Sequence, residues 1–354
     1  MYCGGSTALL WDVCMRTQDD QIRFDKQDFA FLERFGMEEA SRMVLDFHAL
    51  HPRLPFLFDT FQLSHFFGLG RGSLFSLVKT CDTKYRTATI KKKNGKTRVL
   101  HVPFDELKNV QRRILKGFLE KLPISPYATA YVKKRSLADN ASPHVGKRYL
   151  LKLDITDFFG SISFFHIYRT VFHTGYFPKQ IGVMLCTLCC RNDILPQGAP
   201  TSPTLSNLVM RGFDDNLGWW CKQRGISYTR YCDDMTFSSD KPLYHVYEKV
   251  KNMLGEMGLV LNEKKTHFVT NAARQSVTGL TVNEKVAVSG DYKRKLRQEV
   301  YYALKYGAKD SLRHTSQEFE FAESYLDHLE GKLRYVLQIE PENVWFRQAL
   351  EQLK

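Results

Sequence analysis

Apolar residues recur at helix-like spacing over residues 27–50, where Phe29, Phe31, Leu32 and Phe35 are followed by Met43, Val44 and Phe47. The period then changes. In TATIKKKNGKTRVLHVP, β-branched and polar residues alternate on both sides of Asn94-Gly95, a pair whose preference for positive φ makes it a strong hairpin signal. A helix is expected from about Phe104 to Leu122, closed by Pro123. RYLLKLDI is an apolar run broken only by Lys152, so it reads as a buried strand with Asp154 at its end.

A helix from Ser163 to His173, stopped by Gly175, comes next. Ser202-Pro203 reads as an N-cap followed by a first-turn proline, opening a helix to about Lys222. ISYTRYCDDMTFSS has two β-prone arms around Cys232-Asp233-Asp234, hence a hairpin with acids at its tip. A helix from about Tyr244 to Met257 should end at Gly258, and VLNEKKTHFVT and SVTGLTVNEKVAV supply further strands. From Asp291 onward the spacing is helical, which predicts a separate helical lobe. The pattern as a whole is α+β.

A chain of 354 residues with 43% hydrophobic and 25% charged residues has a globular composition, which argues against disorder or a fibrous repeat. No apolar run reaches eighteen residues and the start lacks the parts of a signal peptide, so a cytoplasmic protein with no membrane association is expected. Eight scattered cysteines are too sparse for a disulfide scaffold. Cys186, Cys189 and Cys190 invite a zinc reading, but they lie in the apolar run IGVMLCTLCC without a second CxxC, which favours buried helical thiols.

Charge sharpens the picture. The formal net charge is +13, yet residues 1–84 hold 9 basic and 11 acidic side chains, whereas residues 85–148 hold 16 basic and 4 acidic ones. One localised basic surface, interleaved with Tyr85, Phe104, Phe118, Tyr127 and Tyr131, suits a polyanion backbone with bases to stack upon. The competing reading is a solvated lysine-rich face.

Three acids each sit at the end or tip of an apolar strand: Asp154, Asp233 and Asp234. Adjacent carboxylates repel unless a cation neutralises them, and hard oxygen ligands suit Mg²⁺. Against this stands ordinary turn chemistry, for which Asp-Asp is well suited. A second pair, Asp214-Asp215, falls within an expected helix and reads as solvated surface.

YCDD (231–234), following LDITDFF (153–159) and LPQGAPTSP (195–203), resembles the reverse transcriptases. IKKKNGKTRVL (90–100) is similar to their fingers element, LNEKKT (261–266) to their lysine-bearing palm element, and VTGLTVN (277–283) to their palm-to-thumb junction. The likeness runs over about residues 85–340. Two strings narrow it: NASPH (140–144) matches the NAxxH element, and Val277-Thr278-Gly279 the VTG triplet, of bacterial retron reverse transcriptases.

The resemblance implies a right-handed polymerase fold of fingers, palm with an antiparallel sheet, and helical thumb. It places a mostly helical extension and the start of the fingers at 1–84, a basic fingers segment at 85–148, a palm at 149–283 with a fingers insertion at about 164–196, and the thumb at 284–354. It makes Asp154, Asp233 and Asp234 ligands of two Mg²⁺ ions, with the Ile155 carbonyl as a further candidate.

Lys92 and Arg98 match positions that hold the triphosphate, with Lys91 and Lys93 as alternatives to Lys92 or as template-backbone contacts. Phe159 matches the bulky residue that excludes a 2′-hydroxyl; a core aromatic is the other reading, and Phe158 and Phe159 point to opposite sides if extended. Gln197 and Gly198 match the loop packed on nucleotide and template. Lys265 matches the lysine that protonates departing pyrophosphate, with a plain surface lysine as alternative, and Asp157 is expected to cap local backbone.

Asn140, His144, Val277, Thr278, Gly279, Lys293, Arg294 and Arg297 are the expected RNA contacts, His144 having simple packing as its other reading. Cys232 stands where retron enzymes more usually carry alanine. The implied activity is RNA-directed DNA synthesis on a structured non-coding RNA that is both template and primer, giving branched RNA–DNA (msDNA) in anti-phage defence. Deoxynucleoside triphosphates, the DNA product and an effector protein are the implied partners. The chain stops at Lys354 without a ribonuclease H segment, so removal of template RNA is expected to fall to a separate host ribonuclease H. The alternatives are a group II intron-like or untemplated phage-defence reverse transcriptase, and a catalytically silent RNA-binding scaffold. The intact acids argue against the scaffold.

Overall fold

The computed structural model describes residues 37–91, 95, 97–173, 175–312 and 322–353. Its backbone forms two compact units. The first comprises the described residues up to Tyr131 with 155–216 and 254–260; the second comprises 132–154, 217–253 and 261 onward. The units therefore cut across the stretch 85–148, because composition along the chain carries no information about which distant strands pair.

In the first unit, β1 (Tyr85–Lys91) and β2 (Thr97–Pro103) pair antiparallel, Tyr85 opposite Pro103 and Lys91 opposite Thr97. This is the expected hairpin. Lys92, Lys93, Asn94 and Lys96 lie outside the described residues.

The following helix, Asp105–Gly117, stops short of Leu122: at Phe118 the backbone turns to φ −133, ψ −63, and one 3-10 turn, Leu119–Lys121, completes the segment. The cause is tertiary. Phe118 is buried, its ring 4.7 Å from that of Phe177 and 5.7 Å from that of Phe172. Its expected place among base-stacking aromatics is thus corrected, and so is that of Tyr85, whose hydroxyl accepts from Gln111 and donates to Cys190 O. Phe104 and Tyr131 do stand exposed.

The expected 163–173 helix is shorter, Phe164–Thr170, capped by the Ser163 hydroxyl on His166 N–H. The expected 27–50 helix is described only as Met37–Leu50. Helix Lys179–Cys189 carries Cys186 and Cys189, which with Cys190 are buried free thiols, as the apolar run suggests.

Two readings of the long Ser202–Lys222 helix change. Ser202 is not its cap but its first residue, and its hydroxyl donates to Pro196 O. Asp214 is fully buried instead of solvated, whereas Asp215 lies 3.6 Å from Arg211 one turn back.

The second unit is built on an antiparallel sheet of order β4–β5–β3–β6, with β3 at Tyr149–Asp154, β4 at Ser227–Tyr231, β5 at Asp234–Ser239 and β6 at His267–Thr270. Residues opposite one another share a face, and the register puts Leu151 against Phe237, Leu153 against Met235 and Tyr228 against Phe237, all buried. The other face carries Asp154 against Asp234, Lys152 against Thr236 and Thr229 against Thr236. One period-2 pattern therefore supplies both a hydrophobic layer and a polar working face.

LNEKK, expected in a strand, is instead a 3-10 turn at Glu263–Lys265, and β6 starts at His267. Strands β7 (Ser276–Val277), β8 (Leu280–Thr281) and β9 (Ala287–Val288) form a small sheet. Its β7–β8 turn holds Thr278 at φ 46 and Gly279 at φ 87. Helices Gly290–Leu312, Ala322–Ile339 and Val344–Leu353 follow. They do not form a separate lobe: one buried cluster runs from Ala141 and Leu150 through Val277, Leu280 and Val288 to Leu333 and Phe346. Among the described residues no helix is long and apolar enough to cross a membrane.

Candidate active site

Asp154 ends β3, 3% exposed, directly opposite Asp234 at the start of β5. Tyr231 and Asp234 close the β4–β5 ladder, so Cys232 and Asp233 form its two-residue turn, with Cys232 at φ 61. That left-handed conformation disfavours most side chains, and something must hold it. Arg230, fully buried on β4, donates from Nη1 to Cys232 O at 2.9 Å.

The 262–265 turn wraps Asp154. Asn262 N–H donates to the Asp154 carbonyl at 2.8 Å, Asn262 Nδ2 to Oδ1 at 3.2 Å, and Lys265 Nζ to Oδ2 at 2.7 Å. The hydrogen bond it donates to Asp154 holds the Lys265 ammonium above its ordinary pKa.

Asp234 is exposed by area yet its carboxyl is crowded, and its pKa is pushed up to about 6 by desolvation first and then by the charges of Asp233 and Asp154, against Lys152 and Lys265. For so exposed a residue the like-charge repulsion is the firmer part of that cause.

The donor chemistry fits a hard divalent cation: carboxylate oxygens only, from acids whose mutual repulsion a cation would relieve. At present the ammonium of Lys265 occupies one oxygen of Asp154. Among the described residues no three acidic, histidine or cysteine side chains converge closely enough to hold a metal ion by themselves.

The other expected positions sort by unit. In the first, Gln197 O accepts from His101 N–H on β2 at 2.6 Å, so the Gln197-Gly198 loop lies along the strand that presents Arg98 on its exposed side. Gly198 sits at φ +116, and a Cβ there would stand 2.9 Å from His101 O, so the loop requires glycine. Ile155 is buried.

Phe158 and Phe159 open the one-turn helix Phe158–Ser161 instead of an extended segment; Phe158 is buried and Phe159 partly exposed. Asp157 precedes them at φ 41 and makes no side-chain cap; its carbonyl, not its carboxylate, accepts from Ser161. Lys92 lies outside the described residues.

In the second unit the expected RNA contacts divide. Asn140, His144 and Val277 are buried, leaving them no surface for RNA, and Lys293 is held by Glu340 at 2.8 Å. Burial corrects the expectations for Asn140, His144 and Val277, whose side chains are used internally, whereas Lys293 is half-buried and ion-paired. Thr278 is half-buried, Gly279 and Arg294 are exposed, and Arg294 pairs with Asp291. Exposed Arg297 lies over the rings of Trp345 and Phe346.

Sequence reasoning missed Lys152, Asn262 and Arg230. Lys152 had a signal, the only charge within β3's apolar run and two residues before Asp154, hence on its face. Asn262 and Arg230 had none, since their partners are set by backbone turns.

Residues 90–316 match the reverse transcriptase (RNA-dependent DNA polymerase) family, a span that takes in all three acids, the Gln197-Gly198 loop, Lys265 and the VTG turn. The chain belongs to the reverse transcriptase family. This reverse transcriptase is 30% identical over 292 residues to the Retron Ec86 reverse transcriptase of Escherichia coli, covering 81% of this chain and 86% of that one. It is 34% identical over 278 residues to the Retron Mx65 reverse transcriptase of Myxococcus xanthus, covering 73% of this chain and 62% of that one.

Among solved structures, apo telomerase from Candida tropicalis, truncated from the C-terminal domain, superposes over 62% of this chain and 61% of its own, at 12% identity. The TM-score of 0.40 is too low to bear on the assignment. The reverse transcriptase has the α+β polymerase fold and is an RNA-directed DNA polymerase.

Proposed function

We propose that this polymerase is a retron enzyme, which copies a structured non-coding RNA that also supplies the primer and so makes branched RNA–DNA (msDNA). The observation that carries the chemistry is the β3–β5 pairing of Asp154 with Asp234 beside the Asp233 turn. Support for the retron type comes from the NAxxH and VTG strings and from similarity to named retron reverse transcriptases.

Asp154, Asp233 and Asp234, with the Ile155 carbonyl, are the proposed holders of two Mg²⁺ ions, which when bound supply charge neutralisation for phosphoryl transfer. Lys265 moves from Asp154 Oδ2 to donate a proton to departing pyrophosphate. Arg98, with Lys92, binds the triphosphate through charge-assisted hydrogen bonds. Phe159 excludes a 2′-hydroxyl, and Gln197 and Gly198 line the nucleotide and template. Gly279, Arg294 and Arg297 face RNA. The setting is cytoplasmic anti-phage defence with an effector protein, a host ribonuclease H removing template RNA.

The test is extension of an annealed RNA template and DNA primer with deoxynucleotides and Mg²⁺. Asp233→Asn/Asp234→Asn should abolish incorporation, and equal incorporation by variant and parent refutes the site. Nucleic acid copurifying with the parent protein should contain a branched RNA–DNA species; only random cellular RNA would refute the retron type.

A further inference from the structure

His144 is fully buried against the catalytic hairpin, with Nδ1 2.7 Å from Ser238 Oγ on β5 and Nε2 2.8 Å from Thr229 Oγ1 on β4. The two hydroxyl residues are not opposite one another. Thr229 pairs with Thr236 and Ser238 with Ser227, so the imidazole spans a diagonal across the ladder.

The hydrogen-bond directions follow from the network. Thr229 Oγ1 donates to Asn140 O at 3.3 Å, which spends its proton, so it accepts from His144 Nε2–H. Nδ1 then accepts from Ser238 Oγ–H. Every donor points the same way, from Ser238 through His144 and Thr229 to Asn140, and such aligned chains strengthen one another in a low-dielectric interior. Asn140 continues the chain, its Nδ2 donating at 3.4 Å to Thr278 Oγ1 in the β7–β8 turn.

Thr229, Thr236, Asp234 and Asp154 lie on one face of the sheet. A one-residue slip of β4 against β5 would carry Thr229 off that face and dismantle the Tyr231–Asp234 pairing that closes the Cys232-Asp233 turn. A diagonal brace with one acceptor and one donor resists that slip.

We propose that His144 is a positioning residue for polymerisation: as a neutral imidazole it locks the register of the catalytic hairpin and, through Asn140, ties that hairpin to the VTG turn. The two motifs, 138 residues apart at the Asn140–Thr278 contact, thereby form one internal brace and not two RNA contacts. Burial keeps the imidazole neutral, depressing its pKa to about 3, which fits a fixed donor–acceptor and not an acid–base catalyst. The inference rests on the polymerase reading for its consequence, but the brace itself has a readout independent of activity.

The experiment compares parent, His144→Phe, which keeps a ring and loses both hydrogen bonds, and His144→Gln, which restores a donor and an acceptor. Thr229→Val and Ser238→Ala delete one partner each and carry the same test if the phenylalanine variant does not fold. Amide exchange over residues 231–236 should accelerate in His144→Phe while that of the Ala322–Ile339 helix does not. On saturating RNA template and DNA primer, kcat should fall about tenfold, as loss of one to two buried hydrogen bonds implies, with template affinity unchanged and partial recovery in His144→Gln. Unchanged exchange at the hairpin, or an unchanged kcat with weakened RNA binding, overturns the proposal. An inactive parent with faster exchange in the variant would instead count against the polymerase reading alone.

Discussion

Lys265→Met tests whether the lysine stands in for a cation at Asp154. Nζ lies 2.7 Å from Oδ2, with the lysine side chain 58% exposed and the aspartate 5% exposed. Two unit charges at that separation attract by about 1.5 kcal/mol in a water-like dielectric. Exposure of the lysine reduces the usable part to about 0.5–1 kcal/mol.

A divalent ion must displace this ammonium to reach Oδ2, so removing it should tighten metal binding by about two- to fivefold. Asn262 still holds Oδ1, so the carboxylate stays in place. Binding of Mn²⁺ in the absence of nucleotide, followed by electron paramagnetic resonance or calorimetry, gives the number. The rate of incorporation should move the opposite way, falling about 100-fold if the lysine is the proton donor. Equal or weaker Mn²⁺ affinity in the variant would refute the reasoning, whatever the rate does.

Glu340 sits 12% exposed, accepting from Lys293 at 2.8 and 2.9 Å, Val288 N–H at 2.9 Å and Asn343 Nδ2 at 3.2 Å. Desolvation, the largest single influence, pushes its pKa up, but the hydrogen bonds together hold it below the ordinary value. A depressed carboxylate stabilises fully above its unfolded pKa and loses that contribution as pH falls through the folded one. Parent Tm should therefore drop as pH falls below about 4.5, Glu340→Gln should drop less there, and at pH 7 the variant should be less stable by about 3 kcal/mol through the stranded lysine. Gly198→Ala forces a side chain into φ +116 and against His101 O, so about 2 kcal/mol of stability and a raised KM for deoxynucleotides should follow, read by denaturant melts and steady-state kinetics. A parent-like melt would show that the loop gives way.

The hairpin, β3 and the acid-bearing β4–β5 turn were legible because period-2 patterns and turn residues are local signals, and the acids ended those patterns. What was not legible depends on partners far along the chain. His144 meets Ser238 across 94 residues, and Phe118 meets Phe172 and Phe177, so a polar or aromatic residue in a basic stretch looked like a contact for RNA when it was in fact core. Asp214 failed for the same reason, since helical position alone does not say which face is covered. The 3-10 turn at Glu263–Lys265 was hidden because one turn has no period to detect.

The basic stretch 85–148 gains a different meaning once the units are known. Residues 85–131 carry 11 basic and 3 acidic side chains and fall in one unit; residues 132–148 carry 5 basic and 1 acidic and fall in the other. Some of that charge is already engaged: Arg113 Nη1 donates to Phe66 O at 3.0 Å, and Lys147 pairs with Asp240 at 3.0 Å. Not all of these cations are therefore free to meet RNA phosphates. Neutralising Lys133, Lys134 and Arg135, three exposed cations of the second unit, to glutamine should lower the slope of log affinity against log salt by about 2 to 3, at roughly 0.7–0.9 per phosphate contact. A slope that does not change would show that these three cations make no phosphate contact.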